Sequence, residues 1–126
     1  MTRHALQPEG LAIPKAPYSP VVISGDHVFT AGQVGFDETG ELVPGGIAEQ
    51  TRQALENVRS CLRAAGCELA DVVKVTAFLA DLGEFAAYND VYRGYFDAPY
   101  PARTTVQAGL PAGLVVEIEA VARRPR

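Results

Sequence analysis

Arg103, within Pro101-Ala102-Arg103-Thr104-Thr105, and the pair Glu117 and Glu119, within Val116-Glu117-Ile118-Glu119-Ala120, are the residues whose types and spacing promise chemistry. Both segments read as β-strands. On the first, Arg103, Thr105 and Gln107 share one side, opposite Ala102, Thr104, Val106 and Ala108. On the second, Glu117 and Glu119 share a side with Val115 and Val121, opposite Val116, Ile118, Ala120 and Ala122. An arginine among hydroxyls and carboxylates on largely apolar strands suggests a site for a small anion. Its planar fork of donors matches a carboxylate or phosphate bidentately. A structural Arg–Glu ion pair is the competing reading, and these two segments leave both open.

The elements that must position these residues follow from periodicity and punctuation. Val21-Val22-Ile23-Ser24 and Val28-Phe29-Thr30-Ala31 are β-rich runs around Gly25-Asp26, a hairpin signal. The chain from Gly32 to Gly46 is rich in Gly and Pro, with turn chemistry at Asp37-Glu38-Thr39-Gly40. A helix is expected from Ile47 to Ala65, its apolar stripe running through Ala54, Leu55, Val58, Cys61 and Leu62, with Gly66 as a left-handed stop. Val72 to Leu79 reads as a strand. A second helix is expected from Asp81 to Phe96, with Glu84 as reciprocal capping partner and Phe85, Asn89, Tyr92 and Phe96 facing inward. The Asn89 carboxamide on that stripe needs hydrogen-bond partners. It is either a satisfied core residue or one that reaches a ligand cleft.

Pro99 and Pro101 then end the helix, and Gly109-Leu110-Pro111-Ala112-Gly113 turns the chain into the last strand. The order is β-β-α-β-α-β-β: an α+β fold, a mixed sheet with both helices on one face. If the helices cover Val116, Ile118 and Ala120, then Glu117, Glu119, Arg103 and Gln107 are expected together on the opposite face. Val115 and Val121 make that face too apolar for solvent alone. Packing it against sister subunits would leave charged clefts at the edges, so a closed homo-oligomer is expected.

At 126 residues and 13.4 kDa the chain has the size of one domain, expected to span 1–126 with residues 1–15 as an N-terminal extension and 124–126 as a frayed tail. No apolar run approaches a membrane span, and Met1 to Pro8 lacks a signal-peptide core, so a cytoplasmic location is expected. The net charge of −4 and the scattered Lys and Arg leave no basic stripe for a phosphate backbone, which disfavours nucleic acid as a partner. Arg123-Arg124-Pro125-Arg126 is read as a solvated terminus rather than an acidic-partner contact. Cys61 and Cys67 have neither redox nor zinc-knuckle spacing and read as small buried hydrophobes. With His4 and His27 far apart, no metal is expected.

Taken in order, Ala16-Pro17-Tyr18, Thr30-Ala31-Gly32-Gln33, Gln53-Ala54-Leu55-Glu56-Asn57-Val58, Asp71-Val72-Val73-Lys74-Val75-Thr76, Tyr88-Asn89, Pro101-Ala102-Arg103-Thr104 and Glu117-Ile118-Glu119-Ala120 resemble the Rid (YjgF-type) family of reactive-intermediate deaminases. The resemblance runs from about Ala16 to Arg123 and lies in the ensemble rather than in any one motif. It implies a chorismate-mutase-like subunit and a homotrimer with ligand clefts between neighbours. It also implies cofactor-free hydrolysis of 2-imino or 2-enamino acids, of the 2-iminobutanoate and 2-iminopropanoate type, to 2-keto acids and ammonia. On this resemblance Arg103 matches the arginine that grips the substrate carboxylate, and Glu119 the carboxylate that positions the attacking water. Tyr18, Gly32 and Asn89 match positions lining the same cleft. Ala31 stands where the best-known deaminases carry Ser, and Thr105 where they often carry Cys. Ala31 removes a hydroxyl from the pocket, which bears on rate and substrate range more than on fold.

That chemistry suits the residues themselves. A 2-imino acid offers a carboxylate for Arg103 and an electrophilic C=N carbon for a water held by Glu119. Tyr18 serves either as a hydrogen-bond donor or as an aromatic wall. Two alternatives stay open: a small-carboxylate-binding or regulatory trimer with little turnover, and a translation-inhibiting ribonuclease. Acidic charge and the lack of a His pair or basic groove weigh against the second.

Overall fold

The computed structural model describes residues 3–126; Met1 and Thr2 of the expected N-terminal extension lie outside them. The longest helix, α1 (Ile47–Ala64), forms where the 3.6-residue apolar stripe demands one. Ala54, Leu55, Val58, Cys61 and Leu62 on that stripe have no solvent exposure. Its first turn is closed by the Glu49 carboxylate, which accepts the Gly46 N–H at 2.8 Å. At its other end Gly66 takes φ +80°, a conformation that costs glycine least. Cys61 and Cys67 are both buried and unpaired, and burial pushes the Cys61 thiol up to about 12.

Among the described residues, six strands make one mixed sheet: β1 (His4–Leu6), β2 (Val21–Ser24), β3 (His27–Thr30), β4 (Val72–Leu79), β5 (Ala102–Gln107) and β6 (Val116–Arg123). Their spatial order is β1-β2-β3-β6-β4-β5, antiparallel throughout except for the parallel pair β4–β5. β2 and β3 form the expected hairpin, with Gly25 at φ 59° in its turn. β1 adds one strand at the front of the expected order, inside the segment read as an extension. The first residue of the C-terminal tail is also tied down, since the Arg124 N–H donates to the Asp26 carbonyl at 2.7 Å.

The second helix is shorter than its pattern suggested. Asp81 accepts the Gly83 N–H at 2.8 Å and opens a 3-10 turn over Leu82–Glu84. The helix proper, α2, spans Phe85–Tyr92. Beyond it the Gly94 and Tyr95 N–H groups bond to the Val91 and Tyr92 carbonyls, a tightening to three-residue spacing that ends the helix before Phe96. The inward stripe is corrected as well. Tyr88, Tyr92 and Phe96 are buried, whereas Phe85 is 39% exposed and Asn89 only half-buried.

Both helices cover one face of the sheet, sealing a single core with Val75, Ala77 and Leu79 of β4 and Val116, Ile118, Ala120 and Ala122 of β6. One expectation about faces is overturned. Arg103 and Gln107 do not share the Glu117/Glu119 face. β5 pairs in register with β4 so that Arg103 lies beside Val75, Thr105 beside Ala77 and Gln107 beside Leu79, all on the helix side. Glu117 and Glu119 lie beside Phe78 and Thr76 on the other side. Alternation groups residues by face, but only the interstrand register decides which face each group takes.

Candidate functional site

On the helix side, Arg103 projects from β5 over the aromatic residues of α2. Its guanidinium carbon lies 4.7 Å from the centre of the Tyr92 ring, 5.3 Å from Tyr88 and 5.5 Å from Phe85. The rings support one another: Tyr92 stacks on Phe96 at 4.6 Å between centroids and tilts against Tyr88 at 5.8 Å. Among the described residues no acidic side chain forms an ion pair with Arg103. It opens onto a cleft of about 410 Å³ lined by Asn89, Tyr92, Arg93, Tyr100 and Pro101. Among the described residues, the buried Tyr88, Tyr92 and Thr105 hydroxyls have no hydrogen-bond partner of good geometry. Burial, then the neighbouring Tyr88, pushes the Tyr92 phenol up to about 12 against the pull of Arg103, so it remains a neutral donor.

On the other side of the sheet lie the carboxylates. An isolated bridge, in which Gln33 and Ile118 exchange backbone hydrogen bonds at 2.7 and 2.9 Å, lays the Ala31-Gly32-Gln33 segment along β6. Ala31 is tied by its N–H to the Pro20 carbonyl at 2.8 Å. The Glu117 carboxylate fills the space that a Cβ on Gly32 would need, so any side chain there would displace that carboxylate. Burial, reinforced by the Glu119 charge, raises the Glu117 pKa above its ordinary value. Gly32 and the exposed Tyr18 line a second cavity of about 600 Å³, together with Leu11, Ile13, Val34 and Phe36.

The residues singled out from sequence therefore fall into two groups. Arg103 and Asn89 line the helix-side cleft, with Thr105 on the same face of β5 but outside its lining; Tyr18, Ala31, Gly32 and Glu119 lie on the β2–β3–β6 side. A single chain does not bring the groups together. Sequence reasoning missed the Tyr88 ring beside Arg103 and the packing of Glu117 against Gly32. The spacing Phe85, Tyr88, Tyr92, Phe96 was a usable signal for the first; the second had none, because it depends on a non-local bridge. Among the described residues, no group of three or more His, Cys, Asp or Glu side chains is arranged to hold a metal ion.

Fold and site together define an α+β domain with, among the described residues, an arginine free of any ion pair on one face of its sheet and carboxylates on the other. A family model described as Endoribonuclease L-PSP matches residues 10–124, and the chain belongs to this family, the YjgF/RidA family. A 2-iminobutanoate/2-iminopropanoate deaminase of Capra hircus is 49% identical over 108 residues, covering 84% of this chain and 79% of that protein. The Homo sapiens protein of the same name is 46% identical over 108 residues, with the same coverage of 84% and 79%. Among solved structures, E. coli TdcF with bound serine superposes with a TM-score of 0.90 at 38% identity, over 97% of this chain and 99% of that one. RidA from an Antarctic Psychrobacter gives a TM-score of 0.90 at 40% identity, over 95% and 98%.

Proposed function

We propose that this chain hydrolyses 2-imino and 2-enamino acids to 2-keto acids and ammonia, in clefts formed between subunits of a homotrimer. The observation that carries this reading is the division of the site: Arg103 and Glu119 leave opposite faces of one sheet, so a complete cleft needs a second copy. The relatives named as deaminases supply the reaction class. In this scheme Arg103 of one subunit holds the substrate carboxylate by paired charge-assisted hydrogen bonds. Glu119 of the neighbour orients a water toward the C=N carbon and takes its proton as the C–O bond forms. Glu119 returns that proton to the imine nitrogen, giving a carbinolamine. The carbinolamine's hydroxyl proton then passes through Glu119 to the amine as the C–N bond breaks, leaving the keto acid and ammonia, and enamino acids enter as their imine tautomers. Tyr18, Ala31, Gly32, Asn89 and Thr105 line the assembled cleft, and no cofactor takes part.

A semicarbazide-competition assay tests this, with imino acids generated in situ by an amino-acid oxidase. Wild type should suppress semicarbazone formation and Arg103→Ala should not, having lost about 100-fold in kcat/KM, the worth of a bidentate ionic grip of roughly 3 kcal/mol. Full activity in Arg103→Ala would overturn the mechanism. The ribonuclease suggested by the family model's description is checked on the same preparations, and RNA cleavage lost with Arg103 would favour it instead.

A further inference from the structure

Arg103 poses a physical problem. A guanidinium half-buried at the edge of a core ordinarily finds a carboxylate, and here none among the described residues pairs with it. A carboxylate partner would also occupy the donor fork that an incoming anion needs. What the chain supplies instead is three ring faces within 5.5 Å of the guanidinium carbon. Ring faces attract the cation through their quadrupoles and take up none of its N–H donors.

We infer that Phe85, Tyr88 and Tyr92 form an aromatic cage that positions Arg103, fixing its fork toward the cleft while leaving the donors free for a ligand carboxylate. These are positioning residues: they act on the ligand through Arg103. The cage is a rigid unit, since Tyr88 is fully buried, Tyr92 is 5% exposed and Tyr92 is backed by Phe96. Burial raises the Tyr88 phenol's pKa while the nearby Thr105 and Arg103 pull it back, which places its hydroxyl beside the same guanidinium. Phe85 is the useful handle. It is 39% exposed, so replacing it removes one wall of the cage at little cost to folding.

The inference rests on the proposed role of Arg103, and the test separates the two. Binding of 2-oxobutanoate, a stable keto acid, is measured by calorimetry for wild type, Arg103→Ala, Phe85→Leu, Phe85→Tyr, Tyr92→Leu and Tyr92→Phe, each with its melting temperature. The Arg103 Nε–H resonance is followed in 15N-labelled protein. Phe85→Leu should bind about threefold more weakly and Tyr92→Leu about tenfold, from the loss of roughly one cation–π contact each. The aromatic replacements should restore most of the affinity. The Nε–H signal should lie upfield in wild type, within the ring currents, and move downfield in both Leu variants. A merely structural role would lower the melting temperature without weakening binding in Phe85→Leu. Loss of binding in Arg103→Ala with full retention of affinity in both Leu variants overturns the inference alone. Undiminished binding in Arg103→Ala overturns the role of Arg103 and the inference with it.

Discussion

The two faces of β6 show how one strand serves folding and assembly at once. Toward the helices, Val116, Ile118, Ala120 and Ala122 are 0–3% exposed and belong to a finished core. Toward the other side, Val115, Glu117, Glu119 and Val121 are only half-buried, and the same face exposes Phe29 to 44% and Val106 to 40%. The first face is complete within one chain; the second carries apolar surface and carboxylates that the described residues cover only in part. The proposed site follows the same division: an arginine already seated among rings on the finished side, and carboxylates on the unfinished side.

Glu119→Gln should break this division most severely. It keeps shape and removes the proposed base, so kcat should fall about 100- to 10,000-fold while the melting temperature barely moves; steady-state kinetics beside thermal unfolding would check it. Ile118→Ala, one residue away but on the finished face, should do the reverse. It should cost about 2–5 kcal/mol of stability in urea titration, because a cavity opens in a sealed core. Phe29→Glu on the unfinished face should leave subunit stability within about 0.5 kcal/mol but shift the sedimenting species from trimer to monomer. A trimer that survives Phe29→Glu would argue that this face is not the interface.

The smallest expected effect concerns Glu117. Its folded-state pKa is raised by burial and then by Glu119, so folding is opposed once the group ionises. The sign follows. Relative to a neutral side chain the penalty is absent below the unfolded pKa, near 4.3, and grows as pH rises through the higher folded value. Glu117→Gln should therefore gain stability over wild type at pH 7 but not at pH 4. An equal difference at both would place the carboxylate in water.

Much of this was legible in the chain. α1 and β4 were readable because a 3.6-residue stripe and a β-branched run are local signals, and the hairpin because Gly25-Asp26 marks its turn. The family was readable from ordered motifs spread over most of the length. Two features were not. In α2, Tyr88 and Asn89 are adjacent, and a stripe drawn through Asn89 missed the buried tyrosine beside it; the short, Gly-flanked helix offers too few turns to correct the phase. The side taken by Arg103 depends on the parallel register of β4 with β5, which no alternation within either strand encodes.

Subunit mixing tests the central claim most directly. Arg103→Ala and Glu119→Gln proteins, each inactive, are denatured together, refolded at equal concentration and assayed by semicarbazide competition. If each cleft takes Arg103 from one subunit and Glu119 from its neighbour, about a quarter of the clefts in randomly mixed trimers regain both residues, and activity returns to that level. Mixtures as inactive as their parents, with mixed oligomers shown to form, would contradict a site shared between subunits.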